Sequence, residues 1–160
     1  MNNKVGDKGK QLFKEWEGLV THVYIDSGGE PTIGIGHLLT RSERMSGKIL
    51  IDGKSFVYRN GLTEEQCWAL LDQDLAGTEK SINDAVKVVL NQNQFDALVS
   101  FVFNVGKGAF LSSSLLKVLN QGKYGDVPAQ LLRWNKDNGH VVKGLTNRRE
   151  KEISLWKTPI

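Results

Sequence analysis

The stretch Glu17–His37 constrains this chain more than any other part of the sequence, because glycines and turn formers divide it into short pieces of regular structure. Its polar residues and glycines are Glu17, Gly18, Tyr24, Asp26, Thr32, Gly34, Gly36 and His37. The apolar stripe of Leu12, Phe13 and Trp16 precedes it with helical spacing. We therefore predict a helix that Asp7 caps and that ends at Glu17, just before a glycine.

Two strands and a turn are predicted after this helix. His22–Ile25 alternates β-branched and aromatic residues, Asp26–Gly29 has turn composition, and Thr32–Gly36 reads as a second strand. A carboxyl group at a helix end, Glu17, thus lies close in sequence to a second one on a turn, Asp26. Two carboxyl groups on rigid elements are the minimum equipment for cleaving a glycosidic bond, since one donates a proton and the other activates water or stabilises a cation. Each residue taken alone also has an ordinary structural explanation.

The whole motif resembles the active-site signature of the phage lysozymes, the endolysins of glycoside hydrolase family 24, which include the T-even phage lysozymes. The similarity continues in the order of the family through Phe101–Gly106, Phe110, Gly144-Leu145, Arg148–Glu150 and Leu155-Trp156. It therefore covers nearly the whole chain. The resemblance implies an α+β, lysozyme-like fold. A small β-containing N-terminal lobe and a larger helical C-terminal lobe are expected, joined by a long helix, with a cleft between them.

The resemblance also implies an activity. Family members hydrolyse the β-1,4 bond between N-acetylmuramic acid and N-acetylglucosamine in bacterial peptidoglycan, which lyses the host cell. Glu17 is then the general acid, Asp26 the base or electrostatic stabiliser, and Thr32 helps to hold the attacking water in an inverting reaction. Four further residues are expected to bind substrate, namely Phe103, Asn104, Ser113 and Arg148. Structural alternatives remain open for three of them: core packing for Phe103, a helix cap for Ser113 and a solvated side chain for Arg148.

His37 has a different expected role from these residues. A histidine after a glycine-spaced strand is more often a structural residue paired with a carboxylate than a catalytic one. The candidate partners are Asp72 and Asp74, which lie on a predicted helix.

The chain is expected to form one catalytic domain over residues 1–160. Its lobes are predicted at roughly 13–62 and at 1–12 plus 78–160, linked by a helix over 63–77. That helix begins at a capping box, in which Thr63 and Gln66 satisfy each other's backbone, and its pattern runs on past residue 77 towards residue 86.

Several other elements are visible in the sequence. An Asp52-Gly53 turn between apolar runs predicts a hairpin within residues 46–60. A second capping box, at Asn91 and Gln94, precedes a strongly apolar helix over Gln92–Val105. Shorter helices are predicted over 113–121 and 127–135 and a last one over 146–156, with a polar loop at 136–143.

The charge distribution suits an anionic polymer. The formal net charge is +3, and residues 111–160 carry nine Lys/Arg against four Asp/Glu, whereas the first 110 residues carry twelve and fourteen. Bacterial cell wall and nucleic acid both fit a basic lobe. Since no recognition helix concentrates the basic residues, we expect peptidoglycan glycan strands as the partner and no nucleic acid. The Cys and His residues lack metal-ligand spacing, so we expect no metal or cofactor, and we expect a monomer.

The sequence also predicts where the protein acts. The single cysteine, Cys67, excludes an internal disulfide and fits a reducing compartment. The polar N-terminal segment and the lack of a long apolar run predict neither a signal peptide nor membrane insertion. We therefore expect the protein to stay in the host cytoplasm until a holin gives it access to periplasmic peptidoglycan.

Two rival functions differ from hydrolysis in what they require. A lytic transglycosylase cleaves the same bond without water, so it needs the acid but not the Asp26 and Thr32 pair. A catalytically silent cell-wall-binding module needs none of the three polar residues. Product analysis distinguishes the first rival, and clearance of cell walls distinguishes the second.

Overall fold

The computed structural model describes residues 3–160, and the chain divides into two compact units. Leu12–Gly77 forms the first, which we call the sheet unit, and residues 3–11 with 78–160 form the second, the helical unit. The chain crosses between the units twice, between Gln11 and Leu12 and between Gly77 and Thr78, and both crossings fall inside helices. No helix within residues 3–160 is both long and apolar enough to cross a bilayer. Predictions that include residues 1 and 2 lie, for those two positions, outside the described residues.

The sheet unit begins at Leu12, inside the first helix. The elements as far as the long helix are α1 (Asp7–Glu17), β1 (Val20–Ile25), β2 (Pro31–Gly34), β3 (His37–Leu38), α2 (Arg41–Ser46), β4 (Lys48–Ile51), β5 (Lys54–Val57) and α3 (Glu64–Ala85). The predicted helix over residues 7–17, the Asp52-Gly53 hairpin and the run of α3 past residue 77 are confirmed. The predicted strand Thr32–Gly36 is wrong in extent. Gly34 and Gly36 both have a φ of 69°, which turns the chain from β2 into β3.

Thr32 occupies the centre of a small antiparallel sheet. The strand order is β1-β2-β3, and Thr32 pairs with Tyr24 on one side and with Leu38 on the other. The next residue, Ile33, is fully buried in a core cluster that includes Cys67, so the prediction of a core thiol is confirmed. Both faces of β2 are therefore covered, since Thr32 and Ile33 point to opposite faces and both are buried.

The helical unit is built around a central apolar helix. Its elements after α3 are α4 (Gln92–Val105), α5 (Lys107–Leu111), α6 (Ser114–Asn120), a 3₁₀ turn (Tyr124–Asp126), α7 (Val127–Leu132), β6 (Lys136–Asp137), β7 (His140–Val141) and α8 (Lys143–Lys157). The bounds of α4 and its capping box are as predicted. The predicted loop at 136–143 instead contains a hairpin, because Asn138 and Gly139 both adopt positive φ, as a two-residue hairpin turn requires.

The N-terminus of α1 is capped from a distance. Asp96, on α4, accepts a hydrogen bond from the Gly6 amide at 3.0 Å, and Gly6 O accepts the first helical bond, from Lys10 N. The prediction that Asp7 caps this helix is therefore wrong. A Cβ on Gly9 would lie 2.9 Å from the Asp96 carboxyl carbon, so only glycine permits this approach.

Candidate active site

Glu17 is held at the point where α1 ends. The amide of Gly18 bonds to Lys14 O at 2.8 Å, and Gly18 has a φ of 74°, so the chain leaves the helix immediately after Glu17. The half-buried Glu17 side chain lies against the backbone of Gly36, in the turn between β2 and β3. A Cβ built on Gly36 would be 2.8 Å from Glu17 Oε2. The first carboxyl group is thus confined by a helix end and by a glycine.

Asp26 is held by the turn that follows β1. Its Oδ1 accepts hydrogen bonds from the amides of Gly28 at 2.9 Å and Glu30 at 2.8 Å. The backbone N–H of Asp26 also donates to Glu30 O at 2.9 Å. Because neither amide bond uses Oδ2, the turn orients the carboxylate through one oxygen and leaves the other to different partners.

The hydroxyl hydrogen of Thr32 already has an acceptor in the structure. Its side chain is buried, and Oγ1 donates to Glu30 O at 2.9 Å. A hydroxyl has one hydrogen and two lone pairs. Any further partner of Thr32 Oγ1 must therefore donate a hydrogen bond to it.

Tyr24 lies close enough to both carboxyl groups for their charges to change its pKa. Burial raises the pKa of the Tyr24 phenol, and the negative charges of Glu17 and Asp26 raise it further. Tyr24 also pairs with Thr32 across β1 and β2. Glu17, Asp26 and Thr32 thus share one neighbourhood of the sheet unit. Tyr24 is part of the sequence motif, but its spacing alone indicated no role.

His37 is a structural residue, as predicted. Its Nδ1 lies 2.7 Å from Asp74 Oδ2, which confirms one of the two predicted partners, and its Nε2 lies 2.8 Å from Glu43 Oε1. Burial alone lowers the pKa of His37, but the hydrogen bonds and charges of Asp74 and Glu43 outweigh it and raise the pKa to about 9. The Glu43 contact was not predicted, because it depends on where α2 packs.

The pairing of His37 with Asp74 and Glu43, which we call the His37 clamp, predicts that the free energy of unfolding depends on pH. A pKa raised from 6.5 to about 9 corresponds to about 3 kcal/mol. This contribution is complete below pH 6.5, where the unfolded chain is also protonated, and is lost as the pH rises towards 9. Urea unfolding should therefore show His37→Asn losing about 3 kcal/mol more at about pH 5.5 than at about pH 9.5. His140→Asn, at an exposed histidine, is the control. If His37→Asn lost the same unfolding free energy at both pH values, the contacts of the His37 clamp would not be ionic.

Asn104 and Phe103 lie at the C-terminal end of α4. Asn104 is exposed, and its Oδ1 accepts a hydrogen bond from the Arg149 guanidinium at 2.8 Å. Arg149 is fully buried and lies over the Phe101 ring, with its guanidinium carbon 5.1 Å from the ring centroid. Phe103 is half-buried rather than a full core residue. The amide of Asn104 is therefore oriented by a buried cation.

Ser113 caps α6, as the structural alternative anticipated. Its Oγ accepts from the Leu116 amide at 3.1 Å and donates to Phe110 O at 2.7 Å. The side chain also borders a cavity of about 310 Å³, which is lined by Ala109, Ser112, Ser113, Ser114, Gln130, Arg133 and Trp134. Only a lone pair of the Ser113 hydroxyl remains for another partner.

Arg148 belongs to a buried charged cluster, so the alternative of a solvated side chain is wrong. Its guanidinium donates to Ser100 O at 3.2 Å and lies 3.6 Å from Glu152 Oε2. Arg149 and Glu152 form a fully buried pair with Nε and Oε1 2.7 Å apart, although the N–H does not point at that oxygen. The sequence offered only a helical spacing of three residues as a signal for this pair, and that spacing is equally common on exposed surfaces.

The similarity of this chain to known proteins extends over both units. The family model described as phage lysozyme matches residues 14–152. The endolysin of Salmonella phage P22 is 38% identical over 153 residues, which cover 96% of this chain and 97% of that protein. The endolysin of Bacillus phage PZA is 38% identical over 157 residues and 97% of this chain, but the chain spans only 55% of its length.

A solved structure gives the same result for the fold. The endolysin from Escherichia coli O157:H7 phage FAHEc1 has a TM-score of 0.80 at 33% identity, over 98% of this chain and 95% of that one. The predicted α+β, lysozyme-like fold class is therefore confirmed. Together with the family match over most of the sequence, these similarities show that the chain belongs to the phage lysozyme family.

Proposed function

We propose that this chain is an endolysin muramidase, which hydrolyses the β-1,4 bond between N-acetylmuramic acid and N-acetylglucosamine in peptidoglycan and thereby lyses the host. Membership of the phage lysozyme family supports a glycoside hydrolase that acts on peptidoglycan. The observation that carries the residue assignments is the arrangement of Glu17, Asp26 and Thr32, each of which the sheet unit holds by a separate backbone feature.

Glu17 is the proposed general acid. It donates its proton to the glycosidic oxygen while the bond from that oxygen to the anomeric carbon breaks, and positive charge develops on the sugar ring. Its place between the end of α1 and Gly36 suits this role, because a proton donor must keep a fixed position relative to the scissile bond. Asp26, as a carboxylate, stabilises the developing cation or accepts a proton from water.

Thr32 and Asp26 are proposed to orient the attacking water. Since the Thr32 hydroxyl donates to Glu30 O, it can only accept from a water molecule. A water that donates one hydrogen to Thr32 and the other to Asp26 Oδ2 keeps a lone pair for the anomeric carbon. The water oxygen then forms the new bond, and Asp26 takes the released proton, which completes an inverting hydrolysis.

Four residues of the helical unit are proposed to bind substrate. Phe103 offers a partly exposed aromatic face to a sugar ring, and the exposed, oriented amide of Asn104 can bond the polar substituents of a sugar. Ser113 borders a cavity with polar lining, and Arg148 contributes positive charge. Phe103→Ala and Asn104→Ala, at side chains that are not buried, should raise KM more than they lower kcat, because binding contacts of this kind are made equally in ground and transition states.

Mass spectrometry of digested peptidoglycan tests the reaction type. A hydrolase releases fragments with reducing-end muramic acid, whereas a lytic transglycosylase leaves a 1,6-anhydro end. Proton NMR of a soluble glycan substrate in the first minutes tests the stereochemistry, because inversion first produces the α anomer. An anhydro product would refute hydrolysis. An initial β anomer would refute only the inverting stereochemistry and would leave hydrolysis intact.

Asp26→Asn and Thr32→Val are expected to fold and to lose activity. Asn keeps an oxygen that can accept from the amides of Gly28 and Glu30, so the turn survives while the charge and the base are lost. We expect kcat to fall on the order of 10²–10⁴-fold for Asp26→Asn, and by less for Thr32→Val. Thr32→Ser, which retains the hydroxyl, is the matched control. Fully active Asp26→Asn and Thr32→Val proteins would reduce these residues to turn and strand formers.

Access to the wall is the last part of the proposal. We propose that the protein is a monomer, that it accumulates in the host cytoplasm, and that a holin then admits it to periplasmic peptidoglycan. The free, fully buried thiol of Cys67 suits a reducing compartment. Light scattering tests the monomer. Expression in a bacterium with and without a membrane-permeabilising agent tests the route, since lysis without the agent would contradict holin dependence.

A further inference from the structure

We infer that Gly36 is a positioning residue for the proposed acid, because the missing side chain at this position creates the space that the Glu17 side chain occupies. The inference deepens the proposed function and rests on Glu17 being the general acid. Its basis is steric. A Cβ on Gly36 would lie 2.8, 2.9 and 3.0 Å from Glu17 Oε2, Cγ and Cβ, respectively.

The Glu17 side chain cannot avoid such a Cβ by moving its terminus alone. Rotation about its last bond would move Oε2, but the Cβ and Cγ contacts would remain. The position of Cβ is set by the backbone of α1, which ends at Glu17 and turns away at Gly18. A side chain at position 36 must therefore displace the whole Glu17 side chain, or the helix end that carries it.

The backbone of Gly36 is equally unable to retreat. Ile35, which precedes it, is buried with 2% exposure. His37, which follows it, is held by Asp74 at 2.7 Å and by Glu43 at 2.8 Å. The His37 clamp thus holds the backbone at Gly36, against which the Glu17 side chain lies. This connects a contact that stabilises the fold to the position of the proton donor.

Gly34 provides a matched control for this inference. Gly34 and Gly36 have the same φ of 69°, so alanine would be forced into the left-handed region at either position. An added Cβ at Gly34 meets Cys67 Cβ and Leu70 Cδ2 at 3.7 Å, which is ordinary contact. Of the two substitutions, only Gly36→Ala intrudes on Glu17.

The experiment compares Gly36→Ala, Gly34→Ala and Glu17→Gln on purified, fluorescently labelled peptidoglycan. We expect both alanine variants to melt at a lower temperature, and Gly36→Ala at the lower of the two, because it adds the overlap with Glu17 to the strain of a positive φ. Activity is therefore measured well below both melting temperatures. We expect kcat to fall on the order of 10²-fold for Gly36→Ala alone, with KM little changed, because a displacement of about 1 Å can cost that much. The pH profile of kcat/KM, which reports the essential acid, should move in Gly36→Ala but not in Gly34→Ala.

Each outcome separates the inference from the function on which it rests. Equal kcat for the two alanine variants, with Glu17→Gln inactive, would overturn the positioning role and leave the acid assignment intact. An active Glu17→Gln would instead overturn the acid assignment. If Gly36→Ala does not fold, the double variant Glu17→Ala/Gly36→Ala replaces it, because truncation of Glu17 removes the Cγ and Oε2 atoms that the new Cβ meets and should restore folding. A double variant no more stable than Gly36→Ala would overturn the inference.

Discussion

Glu17→Gln is expected to leave the fold intact and to abolish lysis. The substitution is nearly isosteric and keeps the side chain against Gly36, but an amide cannot donate the proton that the leaving oxygen needs. Loss of general acid catalysis costs on the order of 10²–10⁴-fold in rate, and the loss is larger where the leaving group depends on it. Clearance of a cell-wall suspension measures the activity, and thermal unfolding by circular dichroism measures the fold.

Glu15→Gln provides the matched control for this experiment. Glu15 is exposed on the same helix, and its substitution removes the same charge at a position that the proposed mechanism does not use. The Glu15 variant should clear cell walls like the parent protein. Near-parental lysis by a folded Glu17→Gln protein would show that another group donates the proton, and the positioning role of Gly36 would lose its basis.

Glu152→Gln is expected to destabilise the protein by about 3–5 kcal/mol, because it leaves the buried Arg149 charge without compensation. Both side chains are fully buried, and Ser100 Oγ donates to Glu152 Oε2 at 2.5 Å. Burial raises the pKa of Glu152, and the positive charge of Arg149 opposes this rise. Urea unfolding at neutral pH measures the loss of stability.

An exposed ion pair on another helix provides the control. Lys80 Nζ and Asp84 Oδ2 are 2.9 Å apart, but both side chains are mostly in solvent. Asp84→Asn should therefore leave the unfolding free energy nearly unchanged, because water screens an exposed pair. If Glu152→Gln were as mild as Asp84→Asn, the buried cluster would not be ionic. The position of the Asn104 side chain is a second measure of a change in the cluster, because Arg149 donates a hydrogen bond to its amide oxygen at 2.8 Å.

Local signals in the sequence predicted the elements whose stabilising partners lie within one turn. The capping boxes at Thr63 with Gln66 and at Asn91 with Gln94 are both formed. In each of them, the side chain and the amide that it bonds are three residues apart, so neighbouring elements have little influence. The same signal at Thr40 and Glu43 begins α2, and that helix was missed although the capping box is present in the sequence.

Backbone conformation at glycines was predicted less well, because several conformations are open to them. Gly34 and Gly36 were expected to continue one strand, whereas their positive φ divides it into β2 and β3. That division creates the turn on which Glu17 rests. A glycine in a sequence indicates that unusual backbone is permitted, but the packing around it decides whether that freedom is used.

The sequence by itself determined the family, the fold class and the spacing of Glu17, Asp26 and Thr32, since these depend on residue identity and on short-range order. Only the tertiary structure decided the contacts between distant residues. These include the capping of α1 by Asp96 and the pairing of His37 with Asp74 as well as Glu43. The physical reason is that a buried charge or an unpaired amide can be satisfied by many polar groups along the chain, and the packing of elements selects one.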